Sequence, residues 1–250
     1  MATTTLEATA KTLPSPVIAP AQTATYLTTW LSEFEEKTAQ EFRQRTKLDY
    51  QQTIHEIVSA AEPEAGAHVL DFATGSGVIA RQFVGRVGDA GRIVGTDTAL
   101  HIEQARLAAL SAKVGSKLEW RAAAPDKLDK LPFEPASFDI VTCAMAFHRL
   151  PATSSAIGVL SAMQRVLKPG GRLIIADQLA PMKHSPLRVW SRQSYYRYVV
   201  RDQVEADAQF YQAEALIEML RAAGFRQQMV KVLRQRNEHD WAFAIVKAVK

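Results

Sequence analysis

Asp71 breaks a short apolar run, Val69, Leu70 and Phe72, and the chain then passes through Ala73-Thr-Gly-Ser-Gly77. Beyond Gly77 the apolar residues Val78, Ile79, Phe83 and Val84 fall at helical spacing. The spacing predicts a buried strand, a tight glycine turn and a helix. Gly75 and Gly77 let backbone N–H groups approach a ligand, and the helix N-terminus behind them favours an anionic group. A carboxylate at the strand end suits an ammonium group better than a phosphate. The turn therefore fits a ligand that carries both charges. Two other readings stand beside this one. The glycines would shape a turn and nothing more, or Gly75, Gly77 and Ala80 would form the loose G-x-G-x-x-A pattern of a nicotinamide-dinucleotide site. Arg92-Ile-Val-Gly-Thr-Asp97 reads as a second strand ending in an acid. Asp97 lies about 20 residues beyond Gly75, the separation of an acid that accepts from ribose hydroxyls.

The elements that must hold these residues alternate regularly. After the first strand, turn and helix come strands over Arg92–Asp97, Lys117–Arg121, Phe138–Cys143 and Arg172–Asp177, with helices between them. The helix before the fifth strand carries Ile157, Leu160, Met163, Val166 and Leu167 and stops at Lys168-Pro-Gly-Gly171. Such alternation predicts a doubly wound α/β sheet with helices on both faces. A further helix from Gln212 to Ala223 stops at Gly224, and Phe225–Leu233 and Trp241–Val249 read as two closing strands. Two strands joined by a turn pair antiparallel or lie apart, an ending foreign to most dinucleotide-binding folds.

Upstream, two helices are expected between Ala24 and Ala61, the second starting near Glu41. Tyr26, Trp30 and Phe34 recur at i, i+4 and i+8 and give the first an aromatic stripe. Residues 1–22 read as a flexible tail, 23–62 as a helical cover and 63–250 as the core. From 180 to 209 the strand signal lapses. Lys183, Arg188, Arg192, Arg197 and Arg201 are interleaved there with Trp190, Tyr195, Tyr196 and Tyr198, and no acid appears before Asp202. As a unit this insertion reads as a lid over a ligand. Residue by residue, its arginines would be a solvated helix face and its tyrosines packing on the sheet.

Composition narrows the function. With 47% hydrophobic residues among 250, one large domain has ample core material. Thirty basic against 26 acidic residues leave +4, too mild to argue for nucleic acid. Cys143 is the single cysteine, which excludes an intrachain disulfide and suits a reducing, cytoplasmic setting. The six histidines are scattered, and no Cys/His cluster has metal-ligand spacing. No apolar run approaches the ~18–20 residues of a spanning helix. The first twenty residues lack the basic and apolar regions of a signal peptide.

Taken in order, VLDFATGSG, IVGTD, LPFEPASFDIV, RVLKPGGRLIIAD and LRAAGF resemble the class I S-adenosylmethionine-dependent methyltransferases, over about Ala61 to Val249. The glycine turn followed by VGRVGDAGRIVGTD is similar to the menaquinone/ubiquinone-biosynthesis C-methyltransferase type. The resemblance implies a Rossmann-like, seven-stranded sheet of order 3-2-1-4-5-7-6 with strand 7 antiparallel. It implies that Asp71, Ala73, Gly75 and Gly77 hold the methionine end of S-adenosylmethionine, and that Asp97, with Thr98 beside it, takes the ribose hydroxyls. Ala124 and Pro125 would flank the adenine, and Cys143 to Ala146 would line the region under the sulfonium. Two departures stand out. Ala73 occupies the place of the family's first glycine, and the acid common in the adenine loop is missing unless Asp126 replaces it. The stretch Ala-Phe-His-Arg-Leu-Pro after the fourth strand also differs from the quinone subgroup, so a quinone acceptor does not follow.

The expected function is methyl transfer to carbon or oxygen of a small-molecule acceptor, with no nucleic acid, no membrane span, no metal and an open oligomeric state. His148, just past the fourth strand, is the candidate general base, against the plainer reading that it shapes the pocket. Asp177, ending the fifth strand, would orient an acceptor or cap a helix. The competing functions are a cofactor-binding relative that performs a non-methylating reaction or serves as a scaffold, and a nicotinamide-dependent oxidoreductase.

Overall fold

The computed structural model describes residues 20–123, 128–151, 155–183 and 186–250. Helix α1 (Pro20–Thr46) and α2 (Tyr50–Ala60) precede β1 (His68–Phe72), α3 (Val78–Val87), β2 (Arg92–Asp97), α4 (Ala99–Ser111) and β3 (Leu118–Ala122). Then follow β4 (Phe138–Ala144), α5 (Ala156–Val166) and β5 (Leu167–Leu179). Helix α6 (Pro186–Ser194) runs into a π turn (Tyr195–Val200), and α7 (Gln203–Ala206), α8 (Ala213–Ala222), β6 (Arg226–Arg234) and β7 (Ala242–Val249) complete the chain.

The seven strands form one sheet in the order β3-β2-β1-β4-β5-β7-β6. The first five pair in parallel, and β7 runs antiparallel between β5 and β6. This is the order the resemblance implies. Because successive strand residues point to opposite faces, the strands feed two apolar clusters. Leu70, Val141, Cys143, Leu173 and Ile175 join α5 and α8 in one cluster. Val69, Ile140, Ile174 and Ala176 join α2 and α3 in the other. Strands buried on both faces explain the nearly continuous apolar runs of β1, β4 and β5.

Three boundaries differ from the sequence expectation: α1 begins at Pro20, β5 begins at Leu167 ahead of Lys168-Pro-Gly-Gly171, and the first two helices divide at another place. The break between the first two helices falls at Lys47-Leu48-Asp49, not before Glu41. The cause is local: Lys47 adopts a left-handed φ of 61°, and the Asp49 carboxylate caps α2 by accepting from the backbone N–H of Gln52 at 2.9 Å. The longer α1 thus reaches the sheet's carboxyl edge. Its Glu35 pairs with Arg81 of α3, and its Phe42 packs edge-on against Phe243 of β7 at 5.3 Å. The side chains of Tyr26 and Trp30, and residues 1–19 of the N-terminal tail, lie outside the described residues, while 20–22 belong to α1.

Candidate active site

At the carboxyl ends of β1, β2, β4 and β5 a cavity of about 780 Å³ opens beneath α1 and α7. This is the crevice a doubly wound sheet leaves where its strand order reverses. Asp71, Ala73, Gly75, Ser76, Asp97, Thr98 and His101 line one part of it. Ala144, Met145, Ala146, His148, Arg149 and Asp177 line another, with Phe34, Lys37, Glu41 and Arg45 of α1 above.

The glycine turn is held from below. Asp71 is buried, and its two carboxylate oxygens accept from the hydroxyls of Thr142 (2.6 Å) and Thr74 (2.5 Å). Burial pushes its carboxyl up to about 6, against the lowering effect of those two hydrogen bonds and one from the Ala80 backbone. Asp71 therefore spends much of its accepting capacity inside the protein, on a strand neighbour, on the turn and on the first turn of α3. Above it, Gly75 has a φ of 55° and open space where a Cβ would stand. Gly77 has a φ of 73°, and a Cβ there would meet the Trp120 ring at 2.6 Å. Ala73 takes a left-handed φ of 54°, a conformation costing an alanine ~1–2 kcal/mol that the family glycine avoids.

Asp97 ties the turn to β2. Its Oδ2 accepts from the backbone N–H of Gly75 (2.8 Å), and its Oδ1 accepts from the Thr98 N–H (2.7 Å) and faces His101 Nδ1 (2.7 Å). Burial alone would raise this carboxyl, but the His101, Gly75 and Thr98 hydrogen bonds prevail and hold it below its ordinary value. The same contact holds His101 above its ordinary value, chiefly through the hydrogen bond to Asp97. The result is an ionised acid on the cavity wall with exchangeable partners.

Beyond β4 the chain turns sharply. Met145 adopts a φ of 56° and donates its N–H to Ala176 O at 2.7 Å, which turns Ala146 and His148 toward the cavity. His148 is buried with a carboxylate at each ring nitrogen: Asp177 Oδ1 lies 2.6 Å from Nδ1, and Glu205 Oε1 lies 3.3 Å from Nε2. Asp177 also accepts from the His148 backbone N–H at 3.0 Å, and Phe210 stacks on the ring at 4.8 Å. Asp177 calls for a proton on Nδ1, while Nε2 faces both Glu205 Oε1 and the Nε–H of Arg149 at 3.2 Å, so it donates to the carboxylate when the ring is charged and accepts from the guanidinium when it is neutral. Burial by itself would lower the His148 pKa, yet Asp177 and Glu205 outweigh it and hold it above the ordinary value.

Glu205 is the hub of the cover. Its buried carboxylate takes Arg45 of α1 (2.7 Å), Arg149 (Nε, 2.9 Å) and Arg192 of α6 (3.1 Å) as well as His148. Burial would raise this carboxyl, but these cations hold it well below the usual carboxylate range. Arg192 is turned inward, with its guanidinium 4.0 Å from the Phe210 ring centre and 4.6 Å from that of Tyr196. One carboxylate thus joins the N-terminal helix, the loop after β4 and the 180–209 insertion above the cavity.

Of the residues singled out in the sequence, Asp71, Ala73, Gly75, Asp97, Thr98 and His148 are brought together on the cavity wall. Two are not. The Cys143 side chain belongs to the apolar cluster with α5 and α8, because strand alternation turns it from the cavity, and Ala144 to Ala146 line the wall instead. Gly77 opens α3 and makes room for Trp120 without lining the cavity. Ala124 and Pro125 lie outside the described residues. The insertion divides by residue: Arg192 faces inward, while Trp190, Tyr195 and Tyr198 stay exposed and do not pack on the sheet. Glu205, Arg45 and Arg149 had not stood out. The only signal was that Asp202, Glu205 and Asp207 are the first acids after a long basic stretch.

Comparison with known proteins places the chain among methyltransferases. A family profile described as "Methyltransferase domain" matches residues 39–229. The chain is 30% identical over 184 residues to the ubiquinone/menaquinone biosynthesis C-methyltransferase UbiE of Desulfotalea psychrophila, covering 68% of this chain and 69% of the relative. It is 36% identical over 118 residues to the protein of the same name from Hahella chejuensis, where it spans 47% of this chain and less than half, 45%, of the relative. Among solved structures, the [4+2]-cyclase SpnF superposes with a TM-score of 0.62 at 17% identity, over 80% of each chain, a likeness of fold.

Proposed function

The chain belongs to the class I S-adenosylmethionine-dependent methyltransferases, and from that premise we propose that it methylates carbon or oxygen of a small organic acceptor held beneath α1 and α7. The observation that carries this reading is the shared cavity. The Gly75–Asp97 wall and the His148–Asp177 pair face one space of about 780 Å³, large enough for a nucleoside cofactor and a compact acceptor. A walled space of that size favours a small molecule over nucleic acid. The absence of a helix long and apolar enough to cross a membrane, among the described residues, and the single buried, free Cys143 support a cytoplasmic setting.

The residues present fit the cofactor. Asp97 is ionised and near the surface of the cavity, where ribose hydroxyls would replace His101 as its partners. Gly75 leaves its side of the turn open, and the α3 N-terminus behind it favours the amino-acid carboxylate. Asp71 fixes the turn through Thr74 and Thr142. When bound, S-adenosylmethionine supplies an electrophilic methyl group on a sulfonium.

The chain's own contribution is position and a proton site. In-line attack gains much of its rate from holding the acceptor in near-attack geometry in a dry pocket, which the cover of α1 and α7 provides. Asp177 keeps a proton on His148 Nδ1 and orients the ring. Nε2 accepts the acceptor's proton once it has lost its own and Glu205 has turned to its arginines.

The test is formation of S-adenosylhomocysteine on adding phenols, enols and quinols to the protein and S-adenosylmethionine. Acceptor-dependent turnover is expected, and bound nicotinamide cofactor in the purified protein would sink the reading. Asp97→Ala should weaken S-adenosylhomocysteine binding by ~1–3 kcal/mol in calorimetry, the scale of charge-assisted hydrogen bonds. Unchanged affinity would remove Asp97 from the ribose site.

A further inference from the structure

We propose that the acceptor is an organic acid whose carboxylate is held by Arg45 and Arg149 beside His148, an inference that deepens the methyltransferase reading and rests on it. The observation behind it is a surplus of donors. Three guanidinium N–H groups converge on one oxygen, Glu205 Oε1: Arg45 Nη1 at 2.7 Å, Arg149 Nε at 2.9 Å, and Arg149 Nη2. His148 Nε2, 3.3 Å away, is a fourth when the ring is charged. A carboxylate oxygen offers two lone pairs, so this one is oversubscribed. The other oxygen takes Arg192 Nη2 at 3.1 Å, and Arg192 Nη1 is buried with no hydrogen-bond partner among the described residues.

The neighbouring acids do not absorb the surplus. Asp202 stands 3.7 Å from Arg45 Nη2, beyond hydrogen-bond distance, and its Oδ1 accepts from the Glu205 backbone N–H at 3.1 Å. Asp177 is taken up by the ring and the backbone N–H of His148 and by the N–H of Gln178. Glu41 is exposed, and Lys37 stands one turn before it on the same wall. Arg149 Nη1 makes no hydrogen bond or ion pair among the described residues.

The donors are also the groups that a ligand meets. Arg45 and Arg149 line the cavity, with side chains 25% and 41% exposed, while Glu205 lies behind them at 1%. A guanidinium presents a planar fork that matches a carboxylate, and an incoming carboxylate would bring the acceptor oxygens that the cluster lacks. Glu205 would keep Arg192. Position then narrows the class of acceptor. Arg149 Nε lies 3.2 Å from His148 Nε2, so an acid held by Arg149 presents to His148 a hydroxyl on the adjacent carbon. The acceptors that fit are 2-hydroxyarene carboxylic acids and enol acids of the same geometry.

Calorimetry on the whole protein saturated with S-adenosylhomocysteine, titrated with 2-hydroxybenzoate and with its neutral analogue 2-hydroxybenzamide, tests this. The acid should bind at least about tenfold more tightly than the amide, the worth of one charge-assisted hydrogen bond. That comparison needs no variant. Arg149→Gln, at the more exposed of the two arginines, should bring the two ligands within about threefold of each other, with S-adenosylhomocysteine affinity retained as the sign of an intact fold. Arg45→Gln should act in the same direction. No binding of 2-hydroxybenzoate, equal binding of acid and amide, or an unchanged preference in a folded Arg149→Gln protein would overturn the proposal. Failure of the unmodified protein to bind S-adenosylhomocysteine would strike the methyltransferase reading instead, and the same acid and amide titrations without cofactor would still decide the arginine site.

Discussion

Glu205→Gln should destabilise the protein by about 3 kcal/mol, the lower end of the cost of removing one partner from a buried ion pair. The lower end is expected because Arg149 is substantially exposed and Arg45 and Arg192 less so, so water recovers part of the loss. The sign of the pH dependence follows from the carboxyl's depressed pKa. Its stabilising contribution is fully present above the unfolded value of 4.5 and is lost as pH falls through the folded value, which lies well below. Chemical denaturation of the two proteins between pH 3 and 7 should therefore show their stabilities converging on the acid side. A constant difference across that range would mean that Glu205 acts through packing and not through charge. The substitution should also bring His148 back toward its ordinary value, because one of its two carboxylate partners is gone.

His148→Gln should lower the rate of methyl transfer by ~10²–10⁴-fold while leaving S-adenosylhomocysteine affinity nearly unchanged. The glutamine amide keeps a donor for Asp177 but offers no proton site in the relevant pH range. In the unmodified enzyme, activity should rise with pH through an apparent value above 6.5, since Asp177 and Glu205 hold the imidazole in its protonated, inactive form. That limb should vanish in the variant. A near-normal rate would make His148 a pocket-shaping cation and leave positioning as the main source of catalysis. The same residue also contributes to stability. Its folded pKa is raised, so its contribution is full below the unfolded value of 6.5 and is lost as pH rises through the folded one.

What the sequence showed in advance was local. The strand, glycine turn and helix around Asp71, and Asp97 at the end of the next strand, are each encoded within a few residues, and the structure joins them through the β1–β2 pairing and the hydrogen bonds of Thr74 to Thr96 and of Gly75 to Asp97. The order of the closing strands came from the family resemblance, since alternation alone shows that β6 and β7 exist but not that β7 inserts beside β5. The lid's chemistry was least visible. Glu205 lies 57 residues from His148 and 160 from Arg45, and no periodicity marks a contact that three separate elements make with one carboxylate. Cys143 shows the reverse failure. Its neighbours reach the cavity, but a two-residue period turns its sulfur into the core, and the left-handed Met145 that redirects the strand end has no glycine to announce it.

The most direct test of the account is the structure of the protein with S-adenosylhomocysteine bound. The account predicts the ribose hydroxyls within hydrogen-bond reach of the Asp97 carboxylate, the amino-acid end against the turn at Gly75, and the sulfur facing Ala144 to Ala146 with His148 across the cavity. Nucleoside bound elsewhere, or a sulfur directed away from His148, would contradict it.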